Sequence, residues 1–361
     1  MAETNLITTL EEFEVERKKG IGVVLPPTGR WKEASLESIT RFAEGIGDHN
    51  PLWIDEEYAR KSRFKMITAP PIFPYSVTIG SGVSGNGNIP DRRMSTIYFP
   101  TNYAGADWEF FRPIWIGDKI CIKEQVGGVV RKVSKRIGPI LFCSGLTSFF
   151  NQRQELVATM NITMARYLNI GRAMEYNREP KAGTVIEPAD ALVFERKRRG
   201  AETLYWEDVT EGKEIPALKK GTYNLAELYQ WTMNVAGGGR SSRARLEAEG
   251  SVDLSGGGRV DVEHALKRRN MPGTFDFGAQ RISWMSQIVT DWMGDTGTLK
   301  KLFTTVRHPN IVGDTNTVYG KTAKKYIDNN EHLVDLDVRV ENQAGLDTAL
   351  GRATVALPSK G

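Results

Sequence analysis

The chain has 361 residues with 48 Lys and Arg against 44 Asp and Glu, an excess too small for a nucleic-acid footprint, and its length exceeds what one hydrophobic core usually fills, so two domains or two similar halves are expected. Forty per cent hydrophobic and 25 per cent charged residues fit a globular chain; the N-terminal MAETNLITTLEEFEVERKKG lacks the apolar core of a signal peptide, and no run approaches the roughly 18 apolar residues of a transmembrane helix. Cys121 and Cys143 lie in apolar, strand-like surroundings and read as two reduced core thiols, which leads us to expect a cytoplasmic protein without a membrane partner, disulfide framework or zinc site.

In chain order, Leu10–Lys19 reads as a short charged helix and Gly20–Pro27 as a strand entering a proline turn. Ser35 then starts an amphipathic helix, with Leu36, Ile39, Phe42, Ala43 and Ile46 at helical spacing and Gly47 as its end. Asp48, His49, Asn50 and Pro51 follow. Proline biases Asn50 away from the α region, so a turn is expected that presents Asp48 and Asn50 to one small volume. The helix dipole opposes a carboxylate at this end, which would favour an acid or base working near neutrality. The plain alternative is an Asx turn whose side chains satisfy local backbone groups.

Glu56–Lys61 reads as a second short charged helix. After Pro70 and Pro71, the apolar run through Ile72, Tyr75, Val77 and Ile79 predicts a buried helix. The loop Gly80–Gly87 lacks both the spacing and the lysine of a phosphate cradle. From Thr96 to Ala165 the pattern alternates, and five antiparallel strands are expected at Tyr98–Tyr103, Ala106–Phe111, Asp118–Arg131, Gly138–Asn151 and Leu156–Ala165. Asn169–Gly200 reads as a charged linker whose ERKRR run is a solvated face.

The second half repeats the first in outline. Leu225, Leu228, Tyr229, Trp231, Thr232 and Val235 form another amphipathic helix, Gly238–Asn270 is a Gly-, Ser- and charge-rich insertion, and Ile282, Met285, Ile288, Val289 and Trp292 mark one face of a long buried helix. The motif Pro-x-x-x-Gly-Asp at Pro113–Asp118 recurs 196 positions later at Pro309–Asp314. The fold class is therefore α+β, built as two tandem copies: residues 1–168, a linker at 169–201, and residues 202–361. The second copy has no counterpart of Asp48-His49-Asn50-Pro51, so one asymmetric site is expected.

A helix ending in G-D-x-N-P-L-x-x-D, followed by Y-A, a proline pair, a buried helix and a meander, resembles the MaoC-like (R)-specific enoyl-CoA hydratases and dehydratases. Gly47, Asp48, Asn50, Pro51, Leu52, Asp55 and Ala59 carry the likeness, and the remainder looks like the tandem, double hot-dog acyl dehydratases. The resemblance implies two curved antiparallel sheets, each wrapped around a long helix, and a hydro-lyase acting on an acyl-CoA thioester. It implies no metal and no cofactor apart from the coenzyme A of the substrate. In this reading Asp48 is the general base and acid, Asn50 orients water, and the second proton comes from Asp48 itself or from His49.

Two departures are visible. Trp53 stands where the family has a histidine, and an indole is a hydrogen-bond donor only, so it would wall the pocket. Pro71 falls where the family often has a glycine whose N–H holds the thioester oxygen; the next amides, Ile72 and Phe73, are the remaining backbone candidates. A hot-dog thioesterase and a non-catalytic acyl-CoA-binding protein are the alternatives, and a homodimer is expected. Asp107 and Glu109 share a strand face, and Gln280 and Arg281 open the second long helix as candidate substrate or phosphate contacts. Each pair has a structural explanation as well, as a solvated face and as an interface ion pair. His264, His308 and His332 show no partner spacing and receive no role.

Overall fold

The computed structural model describes residues 6–26, 31–78, 93–94, 99–184, 186, 196–235 and 262–361. The loop Gly80–Gly87 and most of the Gly238–Asn270 insertion lie outside the described residues. The first half contains β1 (Leu6–Ile7), α1 (Leu10–Lys19), β2 (Lys32–Glu33), α2 (Leu36–Ile46), α3 (Pro51–Ile54), α4 (Glu56–Lys61), α5 (Tyr75–Thr78), β3 (Arg93–Met94), β4 (Thr101–Phe110), β5 (Lys119–Ser134), β6 (Gly138–Phe150) and β7 (Leu156–Tyr167). The second contains β8 (Glu214–Thr222), α6 (Leu225–Gln230), a π-turn at Trp231–Val235, α7 (Val262–Arg269), α8 (Gly278–Met293), β9 (Thr298–Val306), β10 (Thr315–Asp328), β11 (Glu331–Asn342) and β12 (Asp347–Ala356).

Ten strands form one continuous sheet in the order β2-β5-β6-β7-β4-β9-β12-β11-β10-β8, and every pairing in it is antiparallel. Alternation decides which side chains enter the core: Met160, Ile162 and Met164 on β7 are buried while their neighbours point away. The halves meet where β4 pairs with β9, Ala106 opposite Thr304. Thr304 fastens that seam, its Oγ1 donating to Ala106 O at 2.7 Å and accepting from Ala106 N–H at 3.1 Å.

The sequence repeat is a structural repeat. Asp118 Oδ2 accepts from Trp115 N–H and Asp314 Oδ2 from Ile311 N–H, at 3.0 and 2.9 Å. Gln152 and Gln343 each donate to the other carboxylate oxygen of their aspartate, at 3.1 and 3.0 Å. The glycine before each aspartate has positive φ, 87° at Gly117 and 96° at Gly313, a backbone conformation that only glycine adopts without strain. The chain is thus a double hot-dog of two related units in one sheet.

Several local expectations change. Gly20–Leu25 is a turn with a single bridge, Val24 to Gln125, in place of a strand. The two expected strands Tyr98–Tyr103 and Ala106–Phe111 are one strand, β4, with an irregularity between Tyr103 and Gly105, and β4 pairs with the last strand of its half. The apolar run after Pro71 becomes helical only at Tyr75, because Pro74 has no N–H and the turns before it close at shorter spacing. Helix α8 is buried on all sides from Gly278 to Asp291, since first-half elements cover the face turned away from the sheet.

Candidate active site

Helix α2 ends at Gly47, whose φ of 64° lets Asp48 N–H turn back to Ala43 O at 2.8 Å. Asn50 then caps α3 by accepting from Leu52 N–H at 3.1 Å, with Pro51 at the first helical position. This single helical turn swings Trp53 back over Asp48, and the indole Nε1–H donates to Asp48 Oδ2 at 3.1 Å. Asp48 Oδ1 accepts from Asn50 N–H, also at 3.1 Å. Asp55 caps α4 by accepting from Glu57 and Tyr58 N–H, and Ala59 is in the core, so the last two matched positions of the motif build its frame.

The linker and the second half supply what holds this turn. Arg196 donates to Asp48 Oδ1 at 2.8 Å and, through Nε, to Asp291 Oδ2 at 2.8 Å, bridging the turn to α8. Lys220 on β8 donates to Ile46 O and Gln287 on α8 to Gly47 O, each at 2.9 Å. Burial disfavours the Arg196 charge, but Asp48 and Asp291 outweigh it and raise the guanidinium pKa. Burial brings the Lys220 amine down to about 8, opposed by Glu227 and assisted by repulsion from Arg196. These three residues stand 148, 174 and 240 positions from their first-half partners. Arg196 belongs to the run expected as a solvated face; instead its side chain is 12 per cent exposed and bridges two carboxylates through Nε and Nη2.

Beside the turn lies a cavity of about 150 Å³, lined by Asn50, Leu52, Trp53, Thr68, Pro71, Phe110, Phe111 and Ile114 from the first half and by Thr290, Met293 and Asp295 from the second. Its far wall is braced: Tyr58 donates to Asp295 Oδ2 at 2.6 Å and Arg63 donates to Asp295 O and Gly297 O at 2.8 and 2.7 Å. Burial, then the Asp295 carboxylate, pushes the Tyr58 hydroxyl up to about 12.

Of the expected site residues, Asn50, Trp53 and Pro71 line this cavity. Asp48 is buried directly behind Trp53 and Asn50. His49 is exposed, facing away from the buried pair on either side of it, because adjacent residues of an extended segment point oppositely. Ile72 and Phe73 sit in the core and their side chains do not line the cavity, and Phe73 N–H donates to Pro70 O at 2.8 Å. Gln280 and Arg281 are committed inside the second half: Gln280 accepts from Tyr223, and Arg281 pairs with Asp276 and donates to Thr348 O. Glu109 faces Lys301 at 3.7 Å outside the cavity, and Asp107, whose carboxyl burial raises, does not line it either. Tyr176 stacks on His308 and Trp206 packs edge-on against His332; the His264 side chain lies outside the described residues.

Comparisons with known proteins agree with this architecture. A MaoC-like dehydratase superposes with a TM-score of 0.70 at 17 per cent identity, covering 95 per cent of this chain and all of that one. A Mycobacterium tuberculosis protein described as having a double hot-dog fold gives 0.57 at 15 per cent identity over 93 and 96 per cent of the two chains. The chain therefore has the double hot-dog fold of the MaoC-like dehydratases. Residues 21–160 match the family model of the FAS1-like dehydratase domain region. A probable enoyl-CoA hydratase alpha subunit of Thermomonospora curvata is 24 per cent identical over 195 residues, half of this chain and 59 per cent of the relative. A UPF0336 protein of Streptomyces griseus is 28 per cent identical over 109 residues, 30 and 70 per cent of the two.

Proposed function

We propose that this protein is a hydro-lyase that adds water to a 2-enoyl thioester, or removes it from the 3-hydroxyacyl form, with a coenzyme A ester as substrate. The observation that carries the reading is the Asp48–Asn50 turn, which retains the family's acid and amide next to an apolar cavity sized for a short acyl segment. In hydration, water adds its oxygen to the β-carbon and gives one proton to Asp48 Oδ2, which among the described residues accepts only from the Trp53 indole. Asp48 returns that proton to the α-carbon on the same face, so one carboxyl group serves both transfers. Asn50 has its Oδ1 engaged as a cap, leaving its NH₂ as the group it offers to the water or ligand. Phe110 and Phe111 supply a flat apolar wall for the acyl chain.

The experiment is turnover of a panel of 2-enoyl- and 3-hydroxyacyl-CoA esters by the natural protein and by Asp48→Asn. Loss of at least about 10²-fold in kcat with binding retained is expected; equal turnover in the variant removes Asp48 as the base. A second reading, an acyl-thioester-binding protein without turnover, is favoured by one observation: the Trp53 indole covers Asp48 and cannot relay a proton. Tight binding across the panel with no turnover by the natural protein selects it.

A further inference from the structure

A thioester bound beside Asp48 requires a donor for its carbonyl oxygen, because removing or adding a proton at the α-carbon places negative charge there. The cavity wall has few to give. Pro71 has no N–H, Phe73 N–H is spent on Pro70 O, and Ile72 does not line the cavity. The Thr290 hydroxyl donates to Gln287 O at 3.0 Å, and Arg63 is occupied by the backbone of Asp295 and Gly297.

Thr68 remains. It lines the cavity, is 1 per cent exposed, and its Oγ1 has no hydrogen-bond partner among the described residues. Its backbone is fixed by the bridge to Trp115 and by the adjacent bond from Ala69 N–H to Ile114 O at 2.9 Å, so the hydroxyl is held in place. A buried hydroxyl without a partner weakens a fold and is rarely kept without cause. The structural repeat supplies an independent contrast. The equivalent bridge in the second half is made by Phe275 to Ile311, so only the half that carries Asp48 places a hydroxyl here.

We infer that the Thr68 hydroxyl donates its hydrogen bond to the carbonyl oxygen of the bound acyl thioester, in place of the backbone amide that Pro71 lacks. The ligand class is thus a thioester whose carbonyl enters the cavity between Thr68 and Asn50, with the acyl chain against Phe110. This inference rests on the proposed reading for its ligand, and the test separates the two.

Butyryl-CoA and longer saturated acyl-CoA esters, labelled with carbon-13 at the thioester carbonyl, are bound to the natural protein, Thr68→Val and Thr68→Ser, and the carbonyl stretch is followed by difference infrared spectroscopy. The natural protein and the serine variant move the band to lower frequency; the valine variant leaves it at its solution value. Valine matches threonine in shape and removes an unpaired polar atom, so its ligand-free melting temperature is equal or higher, which excludes misfolding as the cause. If hydration is detected, kcat/KM of Thr68→Val falls on the order of 10²-fold. A Thr68-dependent band shift without turnover on any enoyl ester leaves this inference standing and removes the hydro-lyase reading. Absence of a Thr68-dependent shift across all the esters overturns the inference, whether or not turnover is found.

Discussion

Lys220 is an ordinary lysine by sequence and an unusual one by position. Its amine reaches Ile46 O between the two halves and lies 5.3 Å from the centre of the Trp284 ring. Desolvation lowers its pKa from 10.5 to about 8. Below pH 8 the amine is charged in both folded and unfolded chains, and the cost of burying that charge is fully present. Between about 8 and 10.5 the unfolded chain holds a proton that the folded chain has released, so stability rises with pH through this window. Lys220→Met removes the effect. The stability difference between natural protein and variant, measured by urea unfolding at intervals from pH 7 to 10.5, is expected to move in favour of the natural protein by on the order of 1–2 kcal/mol. A difference constant with pH contradicts the assignment. Nothing near Lys220 in the chain signals this, because the groups that set its environment, Glu227 apart, come from distant segments.

Elements explain why the acidic turn survives in a buried place. Helix α2 and its glycine end are legible from the spacing of Ile39, Phe42, Ala43 and Ile46, and so is the proline-set turn at Asn50, since both depend on neighbours within a turn. The segment carrying Arg196 is the opposite case. A run of like charges reads as solvated, yet its first arginine fills the space between Asp48 and Asp291. Replacing it strands two buried carboxylates. Arg196→Met is expected to lower unfolding stability by about 3–5 kcal/mol, read as a shift in the urea midpoint, and to lose much of that penalty when Asp48→Asn and Asp291→Asn are added. A penalty unchanged in the triple variant argues against the bridge.

In the whole molecule the two halves are one folding unit, because a single sheet runs through both and the cavity takes its walls from both. The seam is tightest at Gly105, with φ of 153°, where an added Cβ would stand 2.1 Å from Thr304 O. Gly105→Ala is expected to cost on the order of 2 kcal/mol or more, and a near-ultraviolet signal and tryptophan fluorescence should report one shared transition at a lower denaturant concentration. Two separated transitions, with only the first shifted, count against a common unit.

The sequence by itself determined the duplication, the α+β class and the position of the acidic turn. Each rests on a short-range pattern: the Pro-x-x-x-Gly-Asp repeat that builds the same aspartate-glutamine clasp twice, the alternation on β7, and the glycine and proline that shape the chain around Asp48. The tertiary structure alone decided which side chains face the site. It turned His49 outward, committed Arg281 to a structural pair, spent Phe73 N–H on a turn, and brought Arg196 from the linker and Lys220 and Gln287 from the second half onto residues 46–48. The reason is physical. Local geometry is set by backbone sterics and nearest neighbours, whereas charge and hydrogen-bond partners of a buried group are set by whatever the packed core brings within about 3 Å, and here those groups arrive from the linker and the other copy.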